Sequence, residues 1–189
     1  MYYSRFGHPI WFDGPLTFEP HVSQVCRVAF SHFHVISRVS KYLSLSHRLL
    51  LIHSLVFSRL EYCCSILCGI TDQSFIKLDR ITKSCMRLLL GKKVSSCVDL
   101  SQEMKKLRWL TARQRICHRL LMITHEVLCN RGPQFLADLL KFQPITRPLR
   151  SNSDQLLEIP FHRTDFGQRA FSFIVPTIWN RLPVCEMCP

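Results

Sequence analysis

Residues 107–132 read LRWLTARQRICHRLLMITHEVLCNRG, and the reading of this stretch decides the fold class. Thr111 and Gln114 have the spacing of a capping box, so a helix is expected to start at Thr111. Ile116, Leu120, Ile123 and Val127 fall on one stripe at helical spacing. Asn130-Arg131-Gly132-Pro133 then stops the helix. Such a rod is amphipathic and needs other helices to cover its apolar stripe. The same stretch carries five arginines and two histidines. With the stripe turned inward, Arg115 and Arg119, and His118 beside them, are expected to face outward or obliquely. Arg113 lies five residues past Arg108. Arg108, Arg113, Arg115 and Arg119 would form a cluster suited to phosphates, without reading bases. Trp109 has two readings here: a core anchor between Leu107 and Leu110, or a platform for an unpaired base. The bland reading of the arginines also stands, because arginine stems commonly cover apolar surface on solvated helices.

Moving upstream, the helical pattern repeats. Pro20 fits a first turn, and Val22, Val25, Cys26, Ala29, Phe33, Ile36 and Val39 predict a helix over 20–41. Ser44 or Ser46 would cap the next helix, 46–68, with Leu49, Leu50, Ile52, His53, Val56, Leu60, Cys63 and Leu67 mostly inward and Gly69 ending it. Asp72 would cap a third, 73–90, with Leu78, Ile81, Cys85, Leu88 and Leu89 on its apolar side and Gly91 closing it. A polar loop with Lys92 and Lys93 and a short helix over 99–107 lead into the quoted stretch. PQFLADLL begins another short helix.

The two ends read differently. Residues 1–18 are aromatic and turn-rich, with an Asp13-Gly14-Pro15 turn and room for one or two short strands. From Pro144 the chain turns irregular, with LLEIPF as a candidate strand. In QRAFSFIVPTIWNRLP, Pro176 is expected to break any single helix. Trp179 reads as an aromatic anchor, and Asn180 as a cap or turn residue. The class is mainly α: a helical body over 20–142 with a helical and irregular C-terminal arm, and a short N-terminal strand remnant.

Composition narrows the partners. The chain has 189 residues, 47 % hydrophobic, enough to bury a core. Lys and Arg number 25 against 13 Asp and Glu, a formal charge of +12, and 17 of the 25 are arginine. That balance suits a polyanion. The nearest thing to a transmembrane stretch, LLLIHSLVF, is far too short to span a bilayer, so no membrane partner is expected. No secretory signal is legible in MYYSRFGHPIWF, and the ten cysteines are expected as reduced thiols inside the cell.

No catalytic constellation emerges. Metal-assisted hydrolysis or polymerisation needs clustered carboxylates. The thirteen acids are scattered and no two adjoin. Cys185-x-x-Cys188 has zinc-ligand spacing but no second pair. Cys63, Cys64, Cys68 and His162 are the other ligand types considered, and nothing selects them. With six glycines there is no Gly-rich phosphate loop. No metal, cofactor or catalytic residue is assigned.

Several segments in order resemble the C-terminal part of reverse transcriptases from non-LTR (LINE-type) retrotransposons of the CR1/jockey-like branch. They are LTFEPHV (16–22), SRLEYCCSILCGI (58–70), LDRITKSCMRLLLG (78–91), LRWLTARQRICHRLL (107–121), RGPQFLADLL (131–140), RPLRSNSDQLLEIP (147–160) and FGQRAFSFIVPTIWNRLP (166–183). Thr111 stands where the family usually has Pro, Cys64 where it has Asn, and Gln168 where it has Asp. The resemblance implies a truncated palm-like end over 1–19, a thumb-like helical bundle over 20–91, a basic helical region over 92–143 and a turn-rich aromatic arm over 144–189. The family's palm, with its YxDD-type metal-binding aspartates, has no counterpart here. The implied role is a non-catalytic part of an RNA-directed DNA polymerase that holds RNA or an RNA–DNA duplex by its backbone, alongside the rest of a retrotransposon polyprotein. Thumb helices grip the primer–template duplex, which implies Arg27, Arg38, Lys41, Lys83, Arg87 and Lys92 as contacts. Arg108, Arg113, Arg115 and Arg119 would hold template RNA or target DNA. The competing readings are a structural or protein-interaction unit, and a decayed element copy with no independent function.

Overall fold

The computed structural model describes residues 10–91, 100–143 and 156–182, and the chain is mainly α-helical. The expectations for Lys92 and Lys93, for 144–155 and for Cys185 and Cys188 lie outside the described residues. Two compact units form, 1–116 and 117–189, and the division falls inside one helix.

The first unit begins with an Asp13 carboxylate that gathers the chain into its first helix. It accepts the backbone N–H groups of Thr17 (3.0 Å) and Phe18 (2.8 Å) and the Thr17 hydroxyl. These bonds hold the Asp13 carboxyl below its ordinary pKa, the Thr17 hydroxyl contributing most. No strand forms among the described residues near the N-terminus. Helix α1 (Glu19–Val39) follows and runs into a 3₁₀ turn, Ser40–Tyr42. Its inward face is His21, Val22, Cys26, Ala29 and Ile36, while Val39, the last residue of the apolar series, is exposed.

The single helix expected over 46–68 is interrupted. Ser44 caps α2 (Leu45–Leu51), accepting from the His47 N–H. A π-helical segment, Ile52–Phe57, then joins it to α3 (Ser58–Glu61). The wider π turn brings Val56 and Phe57, adjacent in sequence, both into the core. It leaves Leu50 65 % exposed and His53 on the exposed side, against expectation. The helix ends early because Tyr62 is extended and Cys63 takes a left-handed φ of 50°. Cys63, Cys64 and Cys68 therefore do not share one helix; Cys64–Gly69 is 3₁₀.

Helix α4 (Asp72–Leu90) is close to its predicted span, but Thr71 rather than Asp72 is the cap: the Thr71 hydroxyl oxygen accepts from Ser74 N–H at 3.4 Å. Gly91 closes it at φ 64°, a conformation that suits glycine. Leu78, Ile81, Cys85 and Leu89 are buried as predicted. Helix α5 (Leu100–Lys106) ends in a pair of bonds, Trp109 N–H to Met104 O (2.8 Å) and Arg108 N–H to Lys105 O (3.1 Å), with Arg108 left-handed at φ 54°. Helix α6 (Ala112–Leu128) starts with the predicted capping box. Thr111 N–H donates to Gln114 Oε1 (3.0 Å), and Gln114 N–H donates to Thr111 Oγ1 (3.3 Å).

In the second unit, α6 ends as α5 does. Arg131 N–H bonds Glu126 O (2.8 Å), Asn130 N–H bonds Val127 O (3.1 Å), and Asn130 is left-handed. Gly132 serves by closeness rather than by conformation: a Cβ there would meet Val127 Cγ2 at 2.6 Å. Helix α7 (Gln134–Ala137) is short. The strand expected in LLEIPF is reduced to one antiparallel bridge, Phe142 with Leu157. Pro176 does not break its helix. It lies buried inside α8 (Phe171–Trp179), where its missing N–H forfeits one intrahelical bond. The Asn180 side chain clamps the Leu157 backbone, accepting its N–H at 2.9 Å and donating to its carbonyl at 2.9 Å.

Candidate nucleic-acid interface

Helix α4 carries the clearest charged feature of the first unit. Its exposed side holds Lys77, Arg80, Lys83 and Arg87, and none of them forms an ion pair among the described residues. From Lys77 to Arg87 the helix advances about 15 Å, the rise of four to five nucleotides in one strand of a duplex. Lys83 and Arg87 were expected as contacts; Lys77 and Arg80 were not. A search for exposed positions repeating every three or four residues along 73–90 would have found all four.

The acids of α4 are turned to another use. Asp79, half-buried, accepts the Ala112 N–H at 2.7 Å and so caps α6 from a neighbouring helix. Asp72 bonds Arg113 at 2.6 Å, and the Arg113 guanidinium lies 4.5 Å from the Phe75 ring centre. Both partners of that pair are well exposed, so it contributes little to stability. A phosphate approaching Arg113 nonetheless competes with a carboxylate.

Arg115, expected outward or oblique and available to phosphate, is neither free nor open to solvent. Its side chain is only 11 % exposed. It pairs with Glu61 at 3.4 Å, donates to the Leu110 carbonyl at 3.3 Å, and lies 4.5 Å from the centre of the Phe57 ring. Burial pulls its pKa down, and the Glu61 carboxylate opposes that pull. Arg115 is thus a cation built into the packing, withdrawn from any phosphate.

Trp109 resolves to its core reading. It is 7 % exposed, with its ring 4.6 Å from that of Phe57 and 5.8 Å from that of His53, both edge-on. A ring so enclosed offers no face to a base. Thr111 and Gln114 do the capping expected of them. Arg108 is exposed, and its backbone terminates α5.

The remaining cations are exposed. Arg27 and Arg38 lie on one outer row of α1, spaced with Ser31 and His34 at helical intervals. Lys41 sits 4.8 Å from the centre of the Tyr42 ring, which is itself exposed. Arg119 is exposed on the part of α6 that belongs to the second unit, where Trp179 is half-buried and Asn180 is the clamp already described. Among the described residues no three His, Cys, Asp or Glu side chains lie close enough to hold a metal ion, and no helix is long and apolar enough to cross a membrane. Cys26 and Cys85 are buried thiols, pushed up to about 11 and about 12 by desolvation.

No protein-family model matches the chain, and no curated protein or solved structure matches it either.

Proposed function

We propose that the chain binds the phosphate backbone of RNA or an RNA–DNA duplex without reading sequence, as the thumb and following region of a non-LTR retrotransposon reverse transcriptase would. The observation that supports this most is the division of charge on α4. Its two acids are committed to the start of α6, while Lys77, Arg80, Lys83 and Arg87 stay exposed and unmatched among the described residues. The formal charge of +12 points the same way. Arg27, Arg38, Lys41, Arg108 and Arg119 add exposed cations, and Arg115 drops out. The role proposed is binding, and no catalytic step is assigned to any residue.

The test is fluorescence anisotropy of a labelled RNA–DNA duplex against the full chain over a range of KCl. Each phosphate neutralised contributes about −0.9 to the slope of log K against log salt on B-DNA, so the α4 row alone predicts a slope of about −3 to −4. Lys83→Gln should reduce that slope by about one. Reversing all four charges, K77E/R80E/K83E/R87E, should remove most of the binding. Folded protein that fails to bind at low salt, or a quadruple variant that binds as wild type does, would overturn the proposal.

A further inference from the structure

At the start of α1, a cavity of about 130 Å³ opens among Trp11, His21, Gln24, Val25, Val28, Arg59 and Tyr62. Its walls are largely apolar. Among its polar residues, the exposed Gln24 reaches solvent, whereas His21 and Arg59 are drawn into the packing.

His21 is 4 % exposed, and neither ring nitrogen has a hydrogen-bond partner. An imidazole held this way forfeits its hydrogen bonds to water without replacement, which is costly unless something in the cavity restores them. Desolvation holds its pKa below 6.5, so at neutral pH the ring is uncharged, with one nitrogen able to donate and the other to accept. Arg59 is half-buried on the same cavity and forms no ion pair among the described residues. A cation that is partly desolvated and unmatched calls for an anion.

Size sets the rest of the ligand. An apolar cavity of about 150 Å³ holds one benzene ring, so this one takes a ring or a branched chain of similar bulk. The indole of Trp11 and the phenol ring of Tyr62 provide aromatic wall for it.

We infer that this cavity is a binding site for a small carboxylate with a ring-sized apolar body. The body fills the space between Val25, Val28 and the two aromatic rings. The carboxylate meets Arg59, and the His21 imidazole supplies a hydrogen bond to it. The site lies on residues that the backbone-binding row of α4 does not use, so the two readings stand or fall separately.

Benzoate is the probe. It is titrated into the full chain by calorimetry, with Trp11 fluorescence as a second signal and benzyl alcohol and acetate as controls. Saturable binding in the millimolar range or tighter is expected for benzoate, in keeping with its small size, and weaker binding for either control. Arg59→Gln should weaken benzoate about tenfold while leaving benzyl alcohol unchanged. Val25→Trp, which fills the cavity from a half-buried position, should abolish both. Circular dichroism establishes that each variant is folded; the wild-type titration stands by itself if a variant is not. Absence of saturable benzoate binding to folded wild type overturns the inference. Equal binding of acetate, or full retention of benzoate affinity by folded Arg59→Gln, overturns it as well.

Discussion

Replacing Asp79 with alanine removes the carboxylate that caps α6 from a neighbouring helix. The Ala112 N–H it accepts, at 2.7 Å, is one of the first donors of α6 and has no partner within that helix. Ala112 is buried, so water does not readily replace the lost acceptor. A hydrogen bond to a charged acceptor contributes about 1.5–3 kcal/mol, and a negative charge at a helix N-terminus about 0.3–1 kcal/mol. Against this, alanine is the better helix former within α4, by about 0.5 kcal/mol. The expected cost of Asp79→Ala is therefore about 1.5–3 kcal/mol. Asp79→Asn keeps an acceptor oxygen and loses only the charge, so it should cost about 1 kcal/mol. Urea denaturation of the full chain, followed by far-ultraviolet circular dichroism, reads both. With a slope of about 2 kcal/mol per molar urea, the alanine midpoint should fall by about 1 M. An alanine midpoint within about 0.2 M of wild type would refute the reasoning. Equal losses for alanine and asparagine would show that the acceptor bond is not what seats α6.

The same assay separates the two neighbouring arginines. Arg115→Met should cost about 1–3 kcal/mol, through the lost Phe57 contact and the lost bond to the Leu110 carbonyl, whereas Arg113→Gln should stay within about 0.5 kcal/mol because its ion pair is exposed. Arg108→Gly should stabilise by about 0.5–1 kcal/mol, since φ 54° strains any residue with a Cβ; a loss would show that the side chain is used in packing. His21 has its folded pKa lowered below 6.5 by burial, so the unfolded state binds the proton first. Stability should hold above about pH 6.5 and fall as the pH drops from there through the folded value. The urea midpoint should drop more between pH 7 and pH 5 for wild type than for His21→Leu, and equal drops would count against the buried ring. Cys26 and Cys85 should resist iodoacetamide at pH 8 in the folded chain and react once it is unfolded, as read by mass spectrometry.

Much of the helical outline was legible because apolar periodicity and end signals agreed along α1, α4 and α6. The Thr111–Gln114 box and Gly91 are local devices, and local spacing suffices to read them. The break at Cys63 was not legible, since a cysteine at positive φ carries no sequence mark. The π segment was hidden for a related reason: an apolar run such as LLLIHSLVF fits more than one turn width. Arg115 shows the limit of a helical wheel. Its position beside the apolar stripe suggested solvent, but Glu61 lies 54 positions earlier in the chain and meets it only through the tertiary fold. The Lys77 to Arg87 row was readable from spacing, yet the fate of Asp72 and Asp79, which leaves that row unmatched, depends on where α6 docks. The His21–Arg59 cavity could not be read at all, because its walls come from segments well separated in sequence.

The short extended segment around Leu157 illustrates how an exposed edge can be avoided without a sheet. On one side, Leu156 O accepts from Gln143 N–H and Glu158 N–H donates to Lys141 O. On the other, the amide of Asn180 stands in for a whole missing strand. The peptide groups around Leu157 are thereby satisfied on both flanks, and a single carboxamide takes the place of the neighbouring strand that an extended segment otherwise leaves open to pairing.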